Sequence, residues 1–300
     1  MPRYISALAI LALGATVAWP ALAAPKVVVS IAPLHSLVAA VMEGVGEPVL
    51  LVPPSASPHA FSLRPSDAQA LANADIVFRV GADMETFLDK PLAALASGIV
   101  VTLDGAPGIT EQSIATDGAS DHNHGHDDHT SDPHIWLSIA NARRIAEIAA
   151  ETLGDSDGEN AQTYSQNLAT LDRRLDSLQR DLETRLSTTQ TPPYIVLHDA
   201  YRHFEAEFGL QRAAAIALSP ERRPGARRLR EIRDLLVAED IKCVFAEPQF
   251  PNAIAATVVD GTNARLAELD PIGADLAIGP DLYFDLMNNL GRALSDCLSG

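Results

Sequence analysis

The stretch "ENAQTYSQNLATLDRRLDSLQRDLETRL", Glu159 to Leu186, decides how the rest of the chain is organised. Leu168, Leu171, Leu175, Leu178, Leu182 and Leu186 recur at steps of three and four, while Arg173, Arg174, Asp176, Arg180, Asp181 and Glu183 fill the other faces. That spacing predicts one long amphipathic helix with a leucine seam. A partner-binding coiled coil has the same pattern, but this seam spans fewer than three heptads and is flanked by folded sequence on both sides. It therefore reads as a rigid strut over 158–188, packed on two lobes.

The flanking sequence supports this. Before the strut, "KVVVSIA", "PVLLVP", "DIVFRVG" and "IVVTL" are short β-rich runs separated by helical patterns; after it come "YIVLHD", "AAAIAL", "KCVFAEP" and "RLAELDP". Alternating strands and helices predict an α/β fold: two (β/α)4-type lobes, 25–157 and 189–300, with mainly parallel sheets. Self-similarity between the halves is too weak to count as a repeat.

Residues 1–24 carry one positive charge, Arg3, an apolar run from Ile5 to Leu13, and Ala21-Leu22-Ala23 before "APK". This pattern predicts a cleaved secretory signal and export to the periplasm. The formal net charge of -17 argues against a polyanionic partner, since nucleic-acid binding needs clustered Lys and Arg, and suits a cation instead. In an oxidising compartment the two cysteines, Cys243 and Cys297, read as a disulfide, with two buried thiols as the alternative.

Residues 105–133 differ from both lobes. They are rich in Gly, Ser, Thr and Asp, contain no aromatic residue and include "DHNHGHDDHT", Asp121 to Thr130. Such a segment buries too little surface to offset the entropy of ordering, and is expected to be a disordered loop in the first lobe. His122, His124, His126 and His129 would bind zinc weakly there, as a secondary site, because flexible ligands must be ordered on binding.

Five of the nine histidines lie elsewhere. His59 follows "PVLLVP" and precedes a helix marked by Pro65 and a Ser66-x-x-Gln69 capping pattern; His134, in "DPHIWLS", precedes a helix starting near Ser138. His198 ends "YIVLH", and Asp270 ends "RLAELD". Three of these four lie at carboxyl ends of strands, where open α/β sheets place ligand crevices. A cleft between the lobes could gather all four. Three imidazoles and one carboxylate form a tetrahedral set that suits Zn2+ better than the oxygen-preferring Mn2+ or Ca2+. His35 and His203 read as ordinary helix residues.

Taken together, "SPHAFSLRPSDAQALANADIVFRVGADMETFL", "DPHIWLS", "LHDAYRHFEAEFGL", "PGARRLREIRDLL", "CVFAEPQF" and "LDPIGADL" resemble, in order and over nearly the whole mature chain, the zinc-binding substrate-binding proteins of bacterial ABC importers, cluster A-I or periplasmic solute-binding family 9. The resemblance implies two (β/α)4-type lobes joined by one long helix, with metal held between them by His59, His134 and His198. Manganese-binding relatives typically carry a carboxylate at the position of His198, so histidine there leans towards zinc. Asp270 matches a position that ligates metal in some relatives; in others water or another carboxylate completes the site. Pro58 stands where similar proteins often have Glu, which leaves Asp270 or a water as the fourth ligand. The resemblance further implies a histidine-rich insert, a Cys243–Cys297 disulfide, a monomer, and an ABC permease in the inner membrane as partner.

Two rivals use the same residues. An exported zinc buffer or chaperone needs the same site and differs only in lacking a permease. A zinc hydrolase needs three histidines and a vacant fourth position, plus a general base, for which Glu247 in "FAEPQF" is the nearest candidate. No H-E-x-x-H motif is present.

Overall fold

The computed structural model describes residues 24–114, 131–187, 189, 192–217 and 224–299. Residues 1–23 of the expected secretory signal and the four histidines of the insert thus fall outside the described residues.

The first sheet contains β1 (Val27–Val29), β2 (Val49–Leu50), β3 (Ile76–Arg79) and β4 (Ile99–Thr102), with helices α1 (Ala32–Val41), α2 (Pro65–Ala72) and α3 (Asp89–Leu95) between them. Next come α4 (Ile139–Ser156) and the long α5 (Ala161–Leu186). The second sheet contains β5 (Tyr194–His198), β6 (Arg212–Ala217), β7 (Cys243–Ala246) and β8 (Arg265–Glu268). Around it lie α6 (Arg202–Phe208), α7 (Ala226–Ala238), α8 (Ala253–Val259) and α9 (Leu282–Leu298). All eight β-rich runs read from the sequence form strands, and every pairing between them is parallel.

The two sheets have the same order, β2-β1-β3-β4 and β6-β5-β7-β8. In each, the chain departs to one side after the first strand and to the other for the third. A crevice therefore opens beyond the carboxyl ends of β1 and β3, and again beyond β5 and β7. Side-chain alternation decides what lines the second crevice. Along β5, Tyr194 and Val196 face the main core and Ile195 and Leu197 the outer cluster under α7 and α8. That parity turns His198 to the side of Tyr194. Along β7, Cys243 and Phe245 face the main core and Val244 and Ala246 the outer cluster, so Glu247 falls on the same side as His198.

The strut is packed as the leucine seam predicts. Leu171, Leu175, Leu178, Leu182 and Leu186 are buried and Leu168 packs against the same core, which runs continuously through both lobes. Asn167 Nδ2 donates to Val41 O and Glu43 O at the end of α1, and on the other side α9 approaches closely. A Cβ at Gly291 would meet Leu182 Cδ2 at 2.4 Å, so any larger residue there would force the buried Leu182 side chain to shift. Cys243 and Cys297 form the expected disulfide and tie the end of α9 to β7.

Two local expectations are corrected. Helix α2 does begin at Pro65, but Asp67 rather than Ser66 secures its start, accepting from Arg64 N at 2.8 Å and from the Arg64 guanidinium. Asp67 wins because a carboxylate can accept from a backbone N–H and a cation together. The segment 105–133 is not disordered throughout, because its described ends are folded. Ile109 packs on the core, Thr110 exchanges bonds with the Asn141 amide, Ser113 bridges Ser131, and Asp132 N donates to Gln112 O at 2.7 Å.

Candidate metal centre

His59, His134 and His198 come together from three separate places. His59 lies in a 3-10 turn, Pro58–Ala60, beyond β2; His134 immediately precedes another, Ile135–Leu137, that leads into α4; His198 is the last residue of β5. Ser138 caps α4 by accepting from Asn141 N at 3.1 Å, which fixes where the His134 turn ends. His134 Nε2 lies 3.4 Å from His59 Nε2 and 3.3 Å from His198 Nε2. Among the described residues this is the one group of three metal-ligating side chains close enough to share an ion.

The far nitrogens of two rings are held by acids. His134 Nδ1 is 2.6 Å from Asp132 Oδ1, which also accepts from His134 N at 3.0 Å; His198 Nδ1 is 2.6 Å from Glu247 Oε1. A carboxylate on Nδ1 makes that nitrogen the donor and turns the Nε2 lone pair towards the centre, where it also becomes a better metal donor. Asp132 Oδ2 and Glu247 Oε2 are buried without a partner, and the single proton of the neighbouring Tyr201 hydroxyl goes to Leu269 O at 3.0 Å.

Burial and neighbouring charge then set the protonation states. Burial, with the charges of His198 and His203 added, holds His134 well below the usual imidazole value, so its lone pair is free to coordinate at neutral pH. For His198, burial disfavours the charged ring, but the charge and hydrogen bond of Glu247 outweigh it and raise the value. Burial pushes the Asp132 carboxyl up to about 7.

The space left between the rings is small. A cavity of about 10 Å³ is lined by Ser57, Pro58 and the three histidines, and by Glu247, Gln249, Phe250, Pro271 and Ile272. That is room for one water-sized particle, which matches an ion and not an organic ligand.

Asp270 is placed beside this group rather than in it. Its Oδ1 accepts from Gln249 Nε2, Ile272 N and Gly273 N at 2.8, 3.0 and 2.9 Å, and its Oδ2 from Ala274 N. The carboxylate closes the turn after β8. Pro58, where similar proteins often have Glu, is buried and offers no donor atom. His35 and His203 are helix residues, on α1 and α6: His35 Nε2 faces Pro48 O and His203 Nε2 faces Asp132 O, each at 2.9 Å. Sequence reasoning did not find Asp132. Its one local signal was its place two residues before His134.

A profile of the family described as zinc-uptake complex component A, periplasmic, matches residues 27–297, a span that includes both sheets and all three histidines. The chain belongs to this family. It is 44% identical to the high-affinity zinc uptake system protein ZnuA of Brucella suis over an alignment of 305 positions that covers 91% of each chain. It is also 38% identical to the protein of that name from Yersinia pestis over 293 residues, 92% of each. Among solved structures it is similar to the periplasmic zinc binding protein TroA from Treponema pallidum, with a TM-score of 0.79 and 18% identity, covering 91% of this chain and 99% of that one. A crystal structure of ZnuA matches with a TM-score of 0.78 and 24% identity over 91% and 99%. At those identities the structural likeness speaks for the fold alone: two four-stranded parallel sheets and a long connecting helix.

Proposed function

We infer that the chain is the periplasmic receptor of a zinc importer, exported by its N-terminal leader, which captures Zn2+ between its lobes and passes it to an ABC permease. His59, His134 and His198 are the protein ligands. One observation carries the assignment: the Nε2–Nε2 separations of 3.3 and 3.4 Å. Two nitrogens bound tetrahedrally at 2.0–2.1 Å from Zn2+ stand about 3.3 Å apart, so these rings already have the spacing of a zinc site.

Asp270 already receives four N–H groups, and a ligand role would weaken the turn they close. We therefore assign the fourth position to solvent. A hydrolase reading is not favoured, because Glu247, its candidate base, sits on His198 Nδ1, away from the ring nitrogen that would face the metal. The insert histidines, His122, His124, His126 and His129, serve as a secondary, weaker zinc reservoir. The root of the insert adjoins Asp132 and so the His134 ligand.

A competitive titration against a chelator of known strength tests the receptor reading. The mature chain lacking residues 115–130 should keep one tight equivalent of zinc, and His59→Ala should lose it. If deletion of the insert removed tight binding, the cleft would not be the transport site. Zinc-dependent docking to reconstituted permease separates a receptor from an exported zinc buffer.

A further inference from the structure

A second pocket shares no residue with the cavity between the three histidines, and its walls come from both lobes. Its volume is about 550 Å³, within the range of sites that hold small organic molecules, which favour such boundaries. The first lobe supplies His35 and Ala39 of α1, residues of the turn after that helix, and Leu50 of β2; the second supplies Ile278, Gly279 and Pro280, just before α9. An added Cβ at Gly44 or at Gly279 would meet nothing within 4 Å, so both lips face open space.

The walls are held by bonds of their own. Asn167 Nδ2 donates to Glu43 O at 2.8 Å, Gly46 N to Met42 O at 3.2 Å, and His35 Nε2 to Pro48 O at 2.9 Å. Beside the other lip, Arg174 pairs with Asp281 at 2.5 Å, and its guanidinium lies 3.8 Å over the Phe284 ring.

The polar side chains of the wall offer acceptors. A carbonyl oxygen can only accept, so His35 Nε2 carries the ring proton; burial holds the ring below its ordinary value and hence neutral, which leaves Nδ1 a buried acceptor without a partner. Glu43 and Glu47 are exposed, and among the described residues neither carboxylate has a hydrogen bond or an ion pair. The charge of Glu47 is felt at His35, so that carboxylate stands near the ring. No lysine or arginine lines the pocket, and Ala39, Pro48, Leu50, Ile278 and Pro280 make the rest of it apolar. A divalent ion does not suit this arrangement. Among the described residues only His59, His134 and His198 bring three ligand atoms close enough to share one, so His35, Glu43 and Glu47 do not converge on a point.

We propose that this pocket binds a small aliphatic organic cation, an amine or a guanidine, with its charged end at Glu43 and Glu47 and its hydrocarbon stem along Leu50 and Ile278. The occupant touches both lobes and so fastens the turn after α1 to the segment before α9.

Diaminopentane is the probe, titrated into the zinc-loaded mature protein and followed by amide chemical shifts at about 0.15 M salt, which screens exposed charges beyond about 8 Å. Saturable shifts should cluster at 43–50 and 278–280. Pentanediol, which has the length without the charge, should bind about 10-fold more weakly, as should the amine to a Glu43→Gln, Glu47→Gln double variant, since each loses two exposed ion pairs. Ile278 is 54% exposed, so Ile278→Trp should fold normally, fill the pocket and abolish binding. Glu239→Gln, an exposed acid at the end of α7, should change nothing. Equal binding of pentanediol would overturn the proposal. Shifts spread over the whole acidic surface, or binding that survives Ile278→Trp, would show only general attraction to a chain of net charge -17 and would overturn it as well.

Discussion

The two lobes share a strand order but use their crevices in opposite ways. Beyond β1 and β3, Glu85 fills the crevice: its carboxylate accepts from Ser30 Oγ, from Val80 N at 3.1 Å and from Gly81 N at 2.9 Å. Beyond β5 and β7, Glu247 turns to His198 Nδ1 and leaves that ring's other nitrogen facing the space between the lobes. Ser30 follows the last residue of β1, and His198 is the last residue of β5, so both stand at the carboxyl end of the first strand of their sheet. The topology thus offers a ligand position twice. A serine and an acid that satisfy each other close one, and a histidine with two functional nitrogens keeps the other open. The first lobe supplies its proposed ligands from the loops around its sheet, His59 and His134, and not from its own crevice.

Substitution at the two equivalent positions should break that comparison most sharply. His198→Ala removes one of three nitrogen donors and is expected to weaken zinc binding on the order of a thousandfold or more in chelator competition, given the total binding energy a few ligands share. Ser30→Ala should leave zinc affinity within about twofold and appear only in stability. Equal zinc losses in the two variants would mean that the first crevice also contributes to the metal site.

The lobes differ also in cross-linking. The Cys243–Cys297 disulfide closes a loop of 54 residues within the second lobe, between β7 and α9. Replacing both cysteines by alanine should cost about 4 kcal/mol on the chain-entropy model, read from the denaturant midpoint, with the first lobe's amide protection least affected. An unchanged midpoint would show that the packing of α9 on α5 already holds that end of the chain.

How much of this could be read from the sequence follows from how local each signal is. The strands were legible because runs such as Val27–Val29 and Tyr194–His198 are rich in β-branched or aromatic residues and bounded by helix patterns, and α5 because its leucines keep one face. That His59, His134 and His198 come together was legible from strand ends, flanking motifs and the family resemblance. The ties that orient them were not. His203 meets Asp132 across 71 residues, Glu207 meets Ile139 across 68, and Trp136 meets Pro271 across 135. Periodicity reports which face a residue shares with its neighbours, and says nothing about a donor and acceptor brought together by two chain crossings. Asp270 illustrates the reverse case. Its strand-end position suggested a ligand, while the backbone N–H groups of Ile272, Gly273 and Ala274, only two to four residues on, engage it as a turn closure.

The closed crevice also predicts a pH dependence that the open one lacks in this form. Burial, only partly offset by its hydrogen bonds, raises the Glu85 carboxyl from 4.5 to about 7. A group whose folded value is raised contributes stability that is fully present below its unfolded value and lost as pH rises through the folded one. The stability of the native protein minus that of Glu85→Gln should therefore fall by about 3 kcal/mol between pH 4.5 and pH 7.5, measured by urea unfolding at each pH. A difference that stays flat across that range would mean Glu85 is ionised at its ordinary value, and that its three donors compensate fully for burial.

The smallest effect sharpens the comparison from the other crevice. Glu247 contributes to the metal site through His198, so its removal should weaken zinc binding without abolishing it: about 10-fold for Glu247→Gln and nearer 100-fold for Glu247→Ala, by chelator competition. The order matters more than the sizes. Glutamine still accepts from His198 Nδ1 and keeps the ring's tautomer, losing only the negative charge, whereas alanine loses both and leaves a buried N–H unpartnered. If the two variants bound zinc equally weakly, the charge would be the whole contribution and the 2.6 Å bond incidental. If glutamine matched the native protein, orientation alone would suffice. The two crevices would then differ only in what their acid holds, a backbone in one lobe and a ligand in the other.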